Sequence, residues 1–186
     1  MLRVRDYNLA SSIECGQIFT YKKLNNAYLI VHGSDYLIVR QNGNKLKVKS
    51  SLPRKRVLSI LGLDVNFNEV RKVLARERLT REALRFLPGL RILQQHAFSC
   101  VISYVCSINS SIPRIKLMIS KLARKFGEEM EIEGLSFHAF PRPKELAKAS
   151  VAELRRCGLG FRASYVKNVA RAFVSGLKEA LEKAEG

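Results

Sequence analysis

The sequence lacks any long apolar run. Arg, Lys or polar residues interrupt each hydrophobic stretch well before the roughly 20 residues that a membrane-spanning helix needs. Met1-Leu2-Arg3-Val4-Arg5-Asp6 passes into mixed sequence without the apolar core of a signal peptide, so neither a membrane nor a secreted protein is expected. Cysteine is sparse and scattered: Cys15, Cys100, Cys106 and Cys157 form no C-x-x-C pair and read as reduced, mostly buried thiols. That spacing suits neither a structural zinc nor an iron–sulfur cluster, and no metal or cofactor is expected. The three histidines, His32, His96 and His138, are far apart in sequence and form no metal-binding spacing. There is no G-x-S-x-G and no G-x-x-x-x-G-K, and nothing marks Asp64 and Glu69 as an acid/base pair rather than helix-start charges. Read from its residues alone, the chain shows no complete active site and no assignable catalytic residue.

Acidic residues are also scarce. Against 33 Lys+Arg stand 16 Asp+Glu, a formal charge of +17 on 186 residues. A surplus of that size says nothing about fold, but it favours a polyanionic partner, because each phosphate neutralised releases a counterion. A solvated, thermophile-like surface and a ribosome-associated protein remain open on charge alone. With 47% hydrophobic and 26% charged residues the chain has the composition of a folded globular protein, and its length fits one domain or one and a half.

The first third reads as strands. Gln17 to Lys23, Asn26 to Gly33, Tyr36 to Gln41 and Lys45 to Lys49 are short runs rich in β-branched and aromatic residues. Asn25-Asn26, Gly33-Ser34 and Asn42-Gly43 separate them, which predicts an antiparallel meander. Leu29, Val31, Leu37 and Val39 are expected to supply one apolar face. From Pro53 the period becomes helical. Short helices are expected through Val57 to Leu61, behind Asn66, and from Thr80 to Pro88-Gly89. Gln94 to Ser107 is apolar on nearly all sides, as a central buried helix would be. Ser111 opens an amphipathic helix that Gly127 ends. Ser150-Val151-Ala152-Glu153 is a capping box in front of Leu154, and a last amphipathic helix follows Gly158-Leu159-Gly160. The reading is α+β: an antiparallel-sheet N-terminal domain with short helices over residues 1–85, then a helical domain over 86–186.

Two segments could contact a ligand. Cys106-Ser107-Ile108-Asn109-Ser110-Ser111-Ile112-Pro113-Arg114 is a helix end, a polar turn and a helix start. It is either a phosphate or base contact or an ordinary connection capped by Ser111. In Gly158-Leu159-Gly160-Phe161-Arg162-Ala163-Ser164-Tyr165, two glycines precede an aromatic–Arg pair. The glycines either end a helix over a buried Phe161, or let the backbone approach a duplex into which Phe161 wedges.

Four segments in order carry a family resemblance: Cys15-Gly16-Gln17-Ile18-Phe19, Pro88-Gly89-Leu90-Arg91-Ile92-Leu93-Gln94-Gln95, Ser107 to Ile115, and Leu154 to Ala163. Together they resemble the 8-oxoguanine DNA glycosylases of the helix-hairpin-helix type, over essentially the whole chain. The resemblance implies a partner, double-stranded DNA containing 8-oxoguanine, whose damaged base is flipped out and excised opposite cytosine by a lysine amine, with lyase cleavage following. It matches Gly16 to the glycine whose carbonyl senses the N7 proton of 8-oxoguanine, and Asn109 to the residue filling the vacated space. Arg114 and Arg162 match the pair that reads the orphaned cytosine, and Phe161, after Gly160, stands where the family commonly has tyrosine. Asn109-Ser110-Ser111 departs from the family's run of asparagines. The chain stops before the hairpin L-P-G-V-G-x-K and the later aspartate, so the polypeptide alone is expected to be inactive. A non-catalytic DNA-binding protein or one half of a split glycosylase is the alternative, and general RNA binding a weaker one. The resemblance further implies a monomer when complete, placed on the nucleoid in a prokaryote or in the nucleus in a eukaryote.

Overall fold

Alternation of inward apolar and outward charged residues shapes the N-terminal strands. In the computed structural model, which describes residues 1–184, β1 (Leu2–Arg3), β2 (Tyr21–Lys23), β3 (Tyr28–His32), β4 (Asp35–Asn42) and β5 (Lys45–Ser50) form one sheet in the order β1-β5-β4-β3-β2. The β4–β5 register pairs Val39 with Val48 and Gln41 with Leu46 on one face, and Arg40 with Lys47 and Asn42 with Lys45 on the other. Asn42 is thus a strand residue and the loop is Gly43-Asn44, one residue later than expected. Of the first expected strand, Gln17 to Lys23, only Tyr21–Lys23 is a strand; Gln17 to Thr20 form the turn and loop before it.

Two compact units make up the chain, Met1–Ile30 with Asp35–Gln95, and Val31–Ser34 with His96–Gly186. In the first, the inward face of the sheet (Leu2, Tyr28, Ile30, Leu37, Val39 and Leu46) packs with α1 (Leu9–Glu14) and α2 (Arg54–Ile60). Leu29 and Val31 are not on that face. They point the opposite way from Tyr28 and Ile30 and are buried too, so β3 has two apolar faces, where one was expected. The helix α1 had no counterpart in the sequence reading. Its signals are Asn8, whose side chain accepts from the Ser11 N–H at 2.9 Å, and the i, i+4 pair Leu9 and Ile13. Helices α3 (Phe67–Leu74) and α4 (Arg78–Phe86) bury no residue fully.

The second unit is built on α5 (Ala97–Ser107) and α6 (Ile112–Phe126). A hairpin of β6 (Glu129–Ile132) and β7 (Leu135–His138) follows, then α7 (Pro143–Lys148) and α8 (Val151–Leu154). A kinked turn (Arg155–Leu159), in which Gly158 has φ 89°, leads into α9 (Arg162–Val174) and α10 (Leu177–Ala184). The Ser150–Glu153 capping box is present with both of its hydrogen bonds. The Phe98 ring lies 5.9 Å from Phe140 and 5.0 Å from Phe173, centroid to centroid, which ties α5 to α9. The β6–β7 hairpin was not foreseen, because its turn is Glu133-Gly134 rather than Asn-Gly. Both turn residues nevertheless have positive φ, 55° and 72°. Among the described residues no helix is long and apolar enough to cross a membrane.

Candidate nucleic-acid interface

The turn between α5 and α6 is irregular at one residue. Asn109 has φ 46°, a left-handed conformation that Asn tolerates better than most side chains. What holds it there is Arg162, at the start of α9. Only 5% exposed, Arg162 donates from Nε to the Ile108 carbonyl at 2.9 Å and from a terminal nitrogen to the Asn109 carbonyl at 2.9 Å. A second bond to Ile108 O and one to Leu159 O at 3.4 Å complete the set. One buried cation therefore joins the Ile108–Asn109 turn to Leu159, at the end of the Arg155–Leu159 turn. Its guanidinium also lies 4.5 Å from the centroid of the Phe161 ring. Burial pushes the Cys106 thiol up to about 12, with the Arg162 charge acting the other way.

Around this clamp the side chains face solvent. Asn109, Arg114, Gly160 and Phe161 are all exposed, Phe161 by 54%. Gly160 has φ 55° and ψ −127°, a combination open essentially to glycine alone, although nothing lies within 4 Å of where a Cβ would be. The requirement there is conformational, not steric. Arg114, in the first turn of α6, makes no hydrogen bond or ion pair with the described residues. The start of α6 is also left open: Ser111 makes no side-chain cap bond, and the Ser110 hydroxyl is buried without a partner. The two arginines that the resemblance paired are thus in different states, Arg114 free and Arg162 engaged with backbone. Tyr165, one helical turn after Phe161 and 53% exposed, is an aromatic neighbour that the sequence reading passed over. Its i, i+4 spacing from Phe161 was the available signal.

Gly16 belongs to the first unit, in the loop after α1, with φ 93°. The adjacent Gln17 fixes this loop. Its amide nitrogen donates to Ser12 O at 2.6 Å and Arg91 O at 2.8 Å, while its oxygen accepts from Leu93 N–H at 2.8 Å. The Gly16 carbonyl takes no hydrogen bond from the described residues. Arg91 is itself buried, its guanidinium 3.4 Å from the Phe67 ring centroid and bonded to the carbonyls of Asp6 and Leu90. The Pro88–Gln95 motif thus serves to hold the Gly16 loop. Every described lysine is exposed or only half-buried, and Lys167, one of the half-buried pair, donates to Ala149 O at 2.7 Å.

Comparison with known proteins places this architecture. Residues 1–101 match the profile of the 8-oxoguanine DNA glycosylase N-terminal domain, and residues 102–185 match that of the HhH-GPD superfamily of base excision DNA repair proteins. An N-glycosylase/DNA lyase of Saccharomyces cerevisiae is 40% identical over 94 residues, covering 50% of this chain and 25% of that protein. The structure of MBOgg1 with a low affinity DNA ligand aligns with a TM-score of 0.86 at 28% identity, over 94% of this chain and 62% of that one. A Clostridium acetobutylicum 8-oxoguanine glycosylase/lyase, solved with double-stranded DNA containing cytosine opposite 8-oxoguanine, aligns with a TM-score of 0.83 at 27% identity, over 91% of this chain and 60% of that one. The chain thus falls, through residues 102–185, in the HhH-GPD superfamily by class. Within that class it belongs to the 8-oxoguanine DNA glycosylase family. It spans about a quarter to a third of the length of the curated relatives it matches and 60–66% of these solved structures.

Proposed function

We propose that residues 1–186 recognise duplex DNA bearing 8-oxoguanine opposite cytosine, as the DNA-reading portion of a base-excision glycosylase/lyase. The observation that carries this reading is the surface at the α5–α6 turn. Asn109 is presented on a clamped, left-handed turn, with Arg114 unpaired near it in sequence and the exposed Phe161 ring against the clamping guanidinium. A flipped base leaves a gap and an unpaired cytosine. A short amide side chain suits the gap, a free guanidinium can hydrogen-bond the cytosine edge, and an exposed ring can wedge the stack. In the first unit, the unpartnered Gly16 carbonyl can accept the N–H that 8-oxoguanine has at N7 and guanine lacks. The relatives named for DNA lyase activity and the complex with 8-oxoguanine opposite cytosine support the same substrate.

Excision by an amine needs a deprotonated lysine, and burial is one of the ways a fold holds it so. None of the described lysines is buried, which supports recognition without cleavage by these residues alone. Binding to fluorescent duplexes tests the reading. The chain is expected to prefer 8-oxoguanine:cytosine over guanine:cytosine, and to form no adduct when borohydride is added. Equal affinity for the two duplexes would refute damage recognition. A borohydride-trapped, denaturation-resistant complex would refute the division between recognition and chemistry.

A further inference from the structure

The outer face of the N-terminal sheet carries a register that a sheet selected for stability alone would avoid. Arg40 stands directly opposite Lys47 across β4 and β5, and Arg3 directly opposite Lys45 across β1 and β5. Like charges facing each other across strands destabilise a sheet. All four side chains are exposed, and among the described residues none of the four forms an ion pair with a carboxylate. The strands β1, β4 and β5 hold one acidic residue, Asp35, which alternation places on the same face as the buried Leu37 and Val39. No counter-charge from these strands therefore reaches the outer face.

With the strand order β1-β5-β4, the sequence Arg3, Lys45, Lys47, Arg40 makes a diagonal stripe across three strands. From strand spacing and rise it runs about 12 Å between its ends at the Cα level. Successive cations then lie within a Debye length of one another, so their fields add. A single carboxylate would satisfy one of them, whereas a duplex places a negative charge every ~1.7 Å along its axis. On this face Ile38 and Asn42 are the neighbours of Arg40 along β4, and Lys49, opposite Ile38, continues the line of basic residues along β5.

We propose that this stripe is a second duplex-DNA contact, a sequence-independent seat for the phosphate backbone that is separate from the residues of the α5–α6 turn. It rests on the reading of the chain as a duplex-DNA binder and extends it to the N-terminal unit. The seat increases affinity for any duplex and adds nothing to the choice of base.

The test uses the whole chain and an undamaged duplex, with binding measured by anisotropy across a salt series. A variant carrying Arg3→Gln, Arg40→Gln, Lys45→Gln and Lys47→Gln is compared with a charge-matched control carrying Lys55→Gln, Arg76→Gln, Arg81→Gln and Arg85→Gln. The stripe variant is expected to bind about tenfold or more weakly at low salt and to lower the slope of log K against log salt by about 2–4. Its melting temperature should be unchanged or raised, since two like-charge pairs are relieved. The preference for 8-oxoguanine:cytosine over guanine:cytosine should be kept. An unchanged slope would overturn the proposal. An equal fall in the control would also overturn it, by assigning the effect to net charge. If the unmodified chain binds duplex DNA and only the stripe variant behaves as wild type, the loss falls on this proposal and not on the recognition reading. No duplex binding by the unmodified chain would overturn both.

Discussion

Replacing Arg162 by methionine isolates the clamp, because the stem is kept while the guanidinium is removed. Three carbonyls lose their donor: Ile108, Asn109 and Leu159. Asn109 and Ile108 are exposed, so water can take over there at little loss. Leu159 is buried between exposed glycines, and a carbonyl left unpaired at a buried residue costs about 1–3 kcal/mol. A hydrogen bond from an ionised donor contributes about 1.5–3 kcal/mol, and relief of a buried charge offsets part of the loss. The expected net loss is about 2–4 kcal/mol, read by urea denaturation with an unchanged m-value. Arg114→Ala is the control. With no protein partner, it should change stability by less than about 0.5 kcal/mol. A loss below about 0.5 kcal/mol for Arg162→Met would refute the clamp, and with it the account of how Asn109 is held.

Gly160→Ala should destabilise by about 1–3 kcal/mol although a Cβ meets nothing there, since φ 55° with ψ −127° is the obstacle; a neutral effect in the same denaturation assay would contradict this. Burial, and secondarily the Lys178 charge, hold the His96 imidazole below its ordinary 6.5. The fold therefore favours the neutral ring. Stability should be level with pH above about 6.5 and fall as pH drops from there toward the lowered native value, because the unfolded chain takes up the proton first. His96→Gln should flatten that segment of the melting-temperature profile, and an unaltered profile would count against it. Thiol alkylation followed by mass spectrometry should label exposed Cys15 first, and buried Cys106 and Cys157 only on unfolding. Early labelling of Cys106 would contradict the burial that raises its pKa.

Much of the architecture was legible because it rests on local rules. The K-L-K-V-K alternation of β5, the Ser150–Glu153 capping box and the apolar α5 each follow from side-chain period or cap chemistry, and all are present. What escaped was set by longer-range packing or unusual turns. The helix α1 is six residues long, too short for periodicity to declare, and the β6–β7 turn uses Glu133 where Asn would signal it. The two-sided burial of β3 depends on what covers the second face, which alternation cannot reveal. At the candidate site, sequence and family resemblance located the two segments but left the arginines as equals. Their difference depends on which carbonyls the chain brings within reach of residue 162, a distance of more than 50 residues in sequence. Likewise Gln17 and Arg91 stand in matched motifs, yet their joint hold on the Gly16 loop emerges only when residues 12, 17, 91 and 93 meet.

The most direct test of the central claim is the affinity of the chain and of Arg114→Ala for four duplexes that differ only in the base opposite 8-oxoguanine. If the free guanidinium of Arg114 reads the orphaned cytosine, the substitution should weaken the cytosine duplex by about 1–3 kcal/mol and bring the four affinities together. An equal loss on all four would make Arg114 a phosphate contact, and would contradict the account of the α5–α6 turn as the element that reads the opposite base.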